Sequence, residues 1–144
     1  QHMSDRKEKL KQIAESFDLE IIYAFGSHSK DAAKWIEGNL SRMNVKLLSD
    51  LDIGVKAGPG LSFGAKEKAG MEIAFEKLFS VNRVDLVVIQ EADPFLAANI
   101  IRGERLFSRD DYEADEYDLY VLRRAGDLIP LEQERIALIM EEEE

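Results

Sequence analysis

The sequence predicts an α+β fold: a small sheet flanked by helices, with a C-terminal helical extension. Three observations carry this. Apolar runs bounded by turn residues occur at 19–25, 51–55 and 84–89, as expected of buried strands. Around them lie stretches in which apolar residues recur every three or four positions, the spacing of helices packed on one side. From 110 to 140 the composition is helical. A chain of 144 residues with 45% apolar content has room for one domain with a modest core. The expected divisions are a tag remnant at 1–3, a domain at 4–109 and an acidic helical extension at 110–144.

Gln1-His2-Met3 reads as the end of an expression-tag linker, which leaves His28 as the histidine available to any site. Ser4 to Phe17 reads as a helix capped by Ser4 or Asp5, with Leu10, Ile13, Ala14 and Phe17 on its apolar stripe. Lys7, Lys9 and Lys11 fall on the wetter side. Leu19 to Phe25 is a strand, ended by Gly26-Ser27. Asp31 to Leu40 has helical potential, weakened by Gly38-Asn39. Its Trp35 reads as a packing residue before a base-stacking one. Arg42 and Lys46 are candidate phosphate or partner contacts. Gly58-Pro59-Gly60 breaks the chain, and Ser62 to Phe79 reads as a helix with Ala65, Ala69, Ile73 and Leu78 facing a core. Pro94 suits a helix start, Gly103 ends that helix, and Glu104 to Phe107 is a short edge strand.

The chemistry centres on Ser49-Asp50-Leu51-Asp52-Ile53-Gly54-Val55. On a strand, side chains alternate faces, so Asp50 and Asp52 point the same way while Leu51, Ile53 and Val55 enter the core. Their Cα atoms lie about 7 Å apart, within reach of one divalent cation or two adjacent ones. Like charges on one strand face are unfavourable unless a cation or partner offsets them. The bland alternative is a pair that caps a turn or faces water. Asp85 interrupts a second apolar run, Arg83-Val84-Asp85-Leu86-Val87-Val88-Ile89. A carboxylate there needs a cation, unless it pairs with Arg83 or faces solvent at the strand end. Gly26-Ser27, between a strand and a helix, offers close backbone approach, a hydroxyl and free N–H groups to a phosphate. Its alternative is an ordinary strand-ending glycine.

Joined together, Gly26-Ser27, the Asp50/Asp52 pair and Asp85 resemble the nucleotidyltransferase superfamily of DNA polymerase β-like fold. The similarity is to its minimal nucleotidyltransferases, often the antitoxin half of a pair with a HEPN-domain protein. It covers about 19–108 and includes Ile100-Ile101-Arg102-Gly103-Glu104-Arg105-Leu106-Phe107. It implies a small mixed sheet and transfer of a nucleotide monophosphate, AMP from ATP, to an acceptor hydroxyl. Asp50, Asp52 and Asp85 would hold two Mg²⁺ ions, Asp85 helping to activate the acceptor. Gly26 and Ser27 would hold the triphosphate. Lys30, in His28-Ser29-Lys30-Asp31, would stand in for the family's arginine as a point charge on the phosphates. Between Ser27 and Asp50 lie 22 residues, more than the family's usual spacing. The acceptor implied is a hydroxyl of a HEPN partner, with an antibiotic or an RNA end as alternatives. The rival reading is an inactive binding module that masks a partner protein.

Residues 1–109 hold 16 Lys/Arg and 16 Asp/Glu, so the net charge of −10 arises in the last quarter of the chain. The acidic extension reads either as a water-facing helix side or as a docking arm for a basic partner. Pro130 is expected to split it into two helices, and Leu119, Leu122, Leu128, Leu131, Ile136, Leu138 and Ile139 call for burial. No basic groove is legible, which argues against duplex DNA. With no cysteine, disulfides and thiolate metal sites are excluded. No apolar run has membrane-span length, and the cytoplasm is the expected location. Homo-oligomerisation is left open.

Overall fold

The computed structural model describes residues 4–43 and 50–142. The segments Leu19–Phe25 (β1), Leu51–Ala57 (β2), Val84–Val88 (β3) and Glu104–Ser108 (β4) form one four-stranded sheet in the order β3-β2-β1-β4. β1 runs antiparallel to both β2 and β4, whereas β2 and β3 are parallel, so the sheet is mixed. β4 is an edge strand, as the sequence predicts. Five helices accompany the sheet among the described residues: Asp5–Phe17 (α1), Ser29–Ile36 (α2), Ala65–Phe79 (α3), Pro94–Ile101 (α4) and Asp111–Glu142 (α5).

The strand alternation builds two cores. Ile22 and Ala24 of β1 and Leu51, Ile53 and Val55 of β2 pack with Leu10, Ala32, Trp35, Met71, Phe75 and Phe79 from α1, α2 and α3. The alternate residues Ile21, Tyr23 and Phe25 pack on the other face with Ala98, Ile100 and Ile101 of α4 and Ala114, Val121 and Ala125 of α5. Gly54 lies opposite Tyr23, and a Cβ there would stand 2.4 Å from Cγ2 of Ile100. The missing side chain lets α4 sit directly on β2, next to Asp52.

Helix ends follow local chemistry. Ser4 caps α1: its Oγ accepts from Lys7 N–H at 3.1 Å and donates to the Ile36 carbonyl at 2.6 Å, tying α1 to the end of α2. Asp93 caps α4, whose first residue is Pro94. α2 spans 29–36 rather than the expected 31–40, because Leu40 packs on the core from a non-helical segment. α3 starts at 65 rather than 62, after Gly64, whose N–H donates to the Glu67 carboxylate. Trp35 is a packing residue: its Nε1–H donates to the Leu78 carbonyl at 3.0 Å, and the Arg6 guanidinium lies 3.4 Å from its ring centre. Lys46 lies outside the described residues; Arg42 is exposed.

The extension departs from its expected form. α5 is one helix through Pro130. Proline lacks the N–H and crowds the carbonyl four residues earlier. That carbonyl belongs to Gly126, and even a Cβ there would meet nothing within 4 Å, so the helix has open space around this turn. The face of α5 against the body is also not the leucine-rich one. Ala114, Val121 and Ala125 are buried, whereas Leu119, Leu122, Ile136, Leu138 and Ile139 are exposed. The side chains of Leu128 and Leu131 lie outside the described set. Small residues at 114, 121 and 125 let α5 approach α4 closely, which the leucines would prevent. Two acids of the extension pair with the body. Arg105 Nη2 donates to Asp118 at 2.8 Å and to Asp115 at 2.9 Å, and the buried Tyr23 hydroxyl donates to Asp118. Burial, then Asp118, pushes the Tyr23 phenol well above its ordinary pKa, so it stays a donor.

Candidate active site

Asp52 sits at the meeting point of three strands. It lies opposite Phe25 at the end of β1 and opposite Asp85 on the parallel strand β3. Residues in register on neighbouring strands, about 4.8 Å apart, project from the same face. Asp52 and Asp85 are therefore direct neighbours, and Asp50, one residue before β2, shares their face by alternation. The structure thus brings together the three carboxylates singled out from sequence.

The repulsion is visible in the proton affinity of Asp52. Burial raises its pKa, the charges of Asp85 and Asp50 raise it further, His28 pulls it down, and a hydrogen bond with Asp85 adds to the rise. Of the two expected alternatives for Asp85, the pair with Arg83 does not form, whereas exposure to solvent near the strand end does hold. Arg83 Nε lies 3.6 Å from Asp50 instead, and its side chain is 78% exposed. Among the described residues, no set of three or more His, Asp or Glu side chains stands in a closed metal-holding arrangement. The donors fit a hard divalent cation nonetheless. They are carboxylate oxygens crowded on one face, and the exposed contact with Arg83 is a weak competitor.

The end of β1 completes the site. Gly26, Ser27 and His28 form a 3-10 turn that leads into α2. Gly26 has φ +75°, and a Cβ there would fall 2.5 Å from Oδ2 of Asp52. Glycine is thus required twice, for the left-handed backbone and for the carboxylate lying against it. Ser27 is exposed beside it, and Lys30 lies exposed in the first turn of α2. Reading the sequence left His28 without a role. The structure puts it near enough to act on Asp52, with its Nε2 buried and unpartnered. Its position directly after Gly-Ser was the available signal.

The family model described as polymerase beta, nucleotidyltransferase matches residues 8–112. The chain belongs to the polymerase beta nucleotidyltransferase family. This match spans α1 to the start of α5 and contains every residue of the site. No curated protein matches the chain. Solved structures share the fold. A toxin–antitoxin MntA–HpeT mutant aligns with TM-score 0.68 at 18% identity, over 93% of this chain and 98% of that one. A toxin–antitoxin structure with AMP-PNP aligns with TM-score 0.65 at 18% identity, over 93% and 98%. A tri-AMPylated HEPN toxin in complex with MNT antitoxin, from Shewanella oneidensis, gives TM-score 0.65 at 17% identity, over 94% and 96%. The expected fold class and nucleotidyltransferase superfamily therefore hold, and the four-stranded sheet is present although 22 residues separate Ser27 from Asp50.

Proposed function

We propose that this nucleotidyltransferase moves AMP from ATP to a hydroxyl of a HEPN-type partner protein, as an antitoxin. The observation that carries the reading is the in-register pair Asp52 and Asp85, with Asp50 on the same face, at the mouth of the Gly26-Ser27 turn. The neighbouring toxin–antitoxin structures, one with AMP-PNP and one with an AMPylated HEPN toxin, support the nucleotide and the acceptor class. Asp50, Asp52 and Asp85 would hold Mg²⁺, which when bound supplies charge neutralisation for the attacking and leaving oxygens. The turn at Gly26 and Ser27 receives the triphosphate through its backbone N–H groups and the serine hydroxyl, and Lys30 adds a point charge. The acceptor oxygen attacks the α-phosphorus in line while the bond to the β-phosphate oxygen breaks. Pyrophosphate departs and Asp85 takes the hydroxyl proton. The test is to incubate the chain with ATP, Mg²⁺ and a candidate HEPN-domain protein, and to weigh the intact candidate. A mass gain of one AMP or more is expected; an unmodified partner that still binds the chain would favour the masking module.

Mg²⁺–ATP is expected to bind more tightly than ATP alone, because a cation offsets the burial and the neighbouring carboxylate charges that raise Asp52. Calorimetry with and without Mg²⁺ measures this, and equal affinities would remove the metal role. Gly26→Ala is expected to cost about 1 kcal/mol of stability from the left-handed backbone. It should weaken Mg²⁺–ATP binding far more, since the new methyl displaces the Asp52 carboxylate. Unchanged binding by a folded Gly26→Ala protein would show that Asp52 does not need its present position.

A further inference from the structure

A groove between α1 and α3 plays no part in the catalytic reading. It encloses about 590 Å³ and shares no residue with the site. Arg6, Lys9, Ile13 and Phe17 recur along α1 at spacings of three and four, so they share one side of that helix. Ala74, Lys77 and Leu78 of α3 line the opposite wall, and Trp35 of α2 contributes to the floor. Trp35 and Leu78 are buried, Ile13, Phe17 and Ala74 are half-buried, and Lys9 and Lys77 are exposed. The groove thus has an apolar floor and a cationic rim.

Charge sets what it takes. Three cations line the groove and, among the described residues, no Asp or Glu does, in a chain whose net charge is −10. Arg6 is pinned by neutral partners. Its Nη1 donates to the Leu40 carbonyl at 2.6 Å and the Trp35 carbonyl at 3.1 Å, and its guanidinium lies over the Trp35 ring. Those contacts fix the side chain and leave its charge uncompensated. Among the described residues Lys9 and Lys77 make no ion pair, and Lys9 does not pair even with Asp5, one turn before it. Glu67 and Glu76 of α3 are engaged elsewhere, accepting from the N–H groups of Gly64 and Val84. Both walls are helices whose backbone groups bond internally, so an occupant is held through side chains, as a third helix lying along the groove would be. From Arg6 to Phe17 the α1 wall is about 16 Å long, room for three helical turns. A bare anion would leave the apolar floor unused, and two copies of a chain at −10 repel each other. We propose that the groove between α1 and α3 docks an acidic amphipathic helix of a partner protein. Its apolar side lies on Phe17 and Trp35, and its carboxylates meet Arg6, Lys9 and Lys77. The groove holds this role whether or not the aspartates transfer a nucleotide.

Trp35 is the only tryptophan and lies in the floor, so its fluorescence reports occupancy. The probes are tryptophan-free helical peptides of about four turns, with Glu along both edges and Leu, Phe or Met along the apolar side. At least one should change the Trp35 emission of the full chain saturably, and its affinity should fall about tenfold or more as salt rises from low to several times physiological. The double variant Lys9→Glu, Lys77→Glu should weaken that peptide at least about tenfold and bind a Lys-edged version better than the parent chain does. Both lysines are exposed, so Mg²⁺–ATP binding should be unchanged and the melting temperature should move by less than about 3 °C, which shows that the body is intact. No saturable change with any of the peptides at about 100 µM would overturn the proposal. So would equal binding, by the parent chain, of the Lys-edged peptide or of a Glu-edged peptide with Ser in place of its apolar residues. Full binding by the double variant, or the same emission change with inorganic phosphate, would overturn it too. A dimer of the chain alone that the double variant abolishes would do the same, by placing a second copy in the groove. None of these readouts needs nucleotide transfer, and an Asp52→Asn chain should bind the peptide as the parent does.

Discussion

Asp52→Asn is expected to abolish AMP transfer while keeping the fold. The side chain lies between Asp85 on β3 and the Gly26 turn, the one position shared by the strands that make the site. Asparagine has nearly the same shape but lacks the charge that neutralises a cation. Loss of charge stabilisation worth several kcal/mol corresponds to a rate drop on the order of a thousandfold. Stability without divalent ions should move the other way. A folded-state pKa above the ordinary value means that the folded chain binds this proton more tightly than the unfolded chain does. The resulting penalty is absent at low pH and grows as pH rises through the folded-state value. Asn removes the penalty, so the variant should melt higher than the parent at neutral pH, and the gap should close on acidification. Mg²⁺ should raise the melting temperature of the parent more than that of the variant. Near-normal turnover in Asp52→Asn would refute the assignment.

The largest loss of stability is expected from Gly103→Ala. A Cβ at this position would fall 2.3 Å from the Ala24 carbonyl oxygen, 3.0 Å from the Phe25 Cα and 3.1 Å from the Ile100 carbonyl oxygen. All three are backbone atoms, so no side chain can swing away. Ala24 and Phe25 close β1 directly before Gly26, and Ile100 belongs to α4, so relief of the clash must part the sheet from the helix. Overpacking of this kind costs about 3 kcal/mol. For a domain of this size that is a fall in melting temperature on the order of 10 °C. A fall of less than about 2 °C would mean that β1 and α4 are free to separate. The glycine was legible as a helix terminator, whereas its contact with β1 required the fold.

Much of the site could be read from the chain. The strand period puts Asp50 and Asp52 on one face and Leu51, Ile53 and Val55 on the other, because alternation is a local property of extended backbone. Gly26-Ser27 as the turn after β1 was equally local. The partner of each carboxylate was not. Arg83 is two residues from Asp85, yet it faces Asp50, and Asp85 faces Asp52, because the parallel register of β2 and β3 sets those neighbours. His28 acquires its role in the same way, from a turn that brings it to Asp52.

The extension shows the division most plainly. Its charge, helical character and apolar content are fixed by composition, and they sit where the sequence places them. Which face packs, which acids are free and whether Pro130 interrupts the helix are not local questions. Ala114, Val121 and Ala125 win the inner face because close approach to α4 favours small side chains over leucines of greater transfer energy. Asp118 is held against the body by Arg105 on β4 and by Tyr23, 95 residues away on β1, while Asp115 pairs with Arg105 at the surface. By itself the sequence determined the elements, the carboxylate chemistry and the uneven charge, since each follows from neighbours along the chain. Only the tertiary structure decided which charges meet and which apolar residues stay in water, because those outcomes depend on the register between strands and on the space between packed helices.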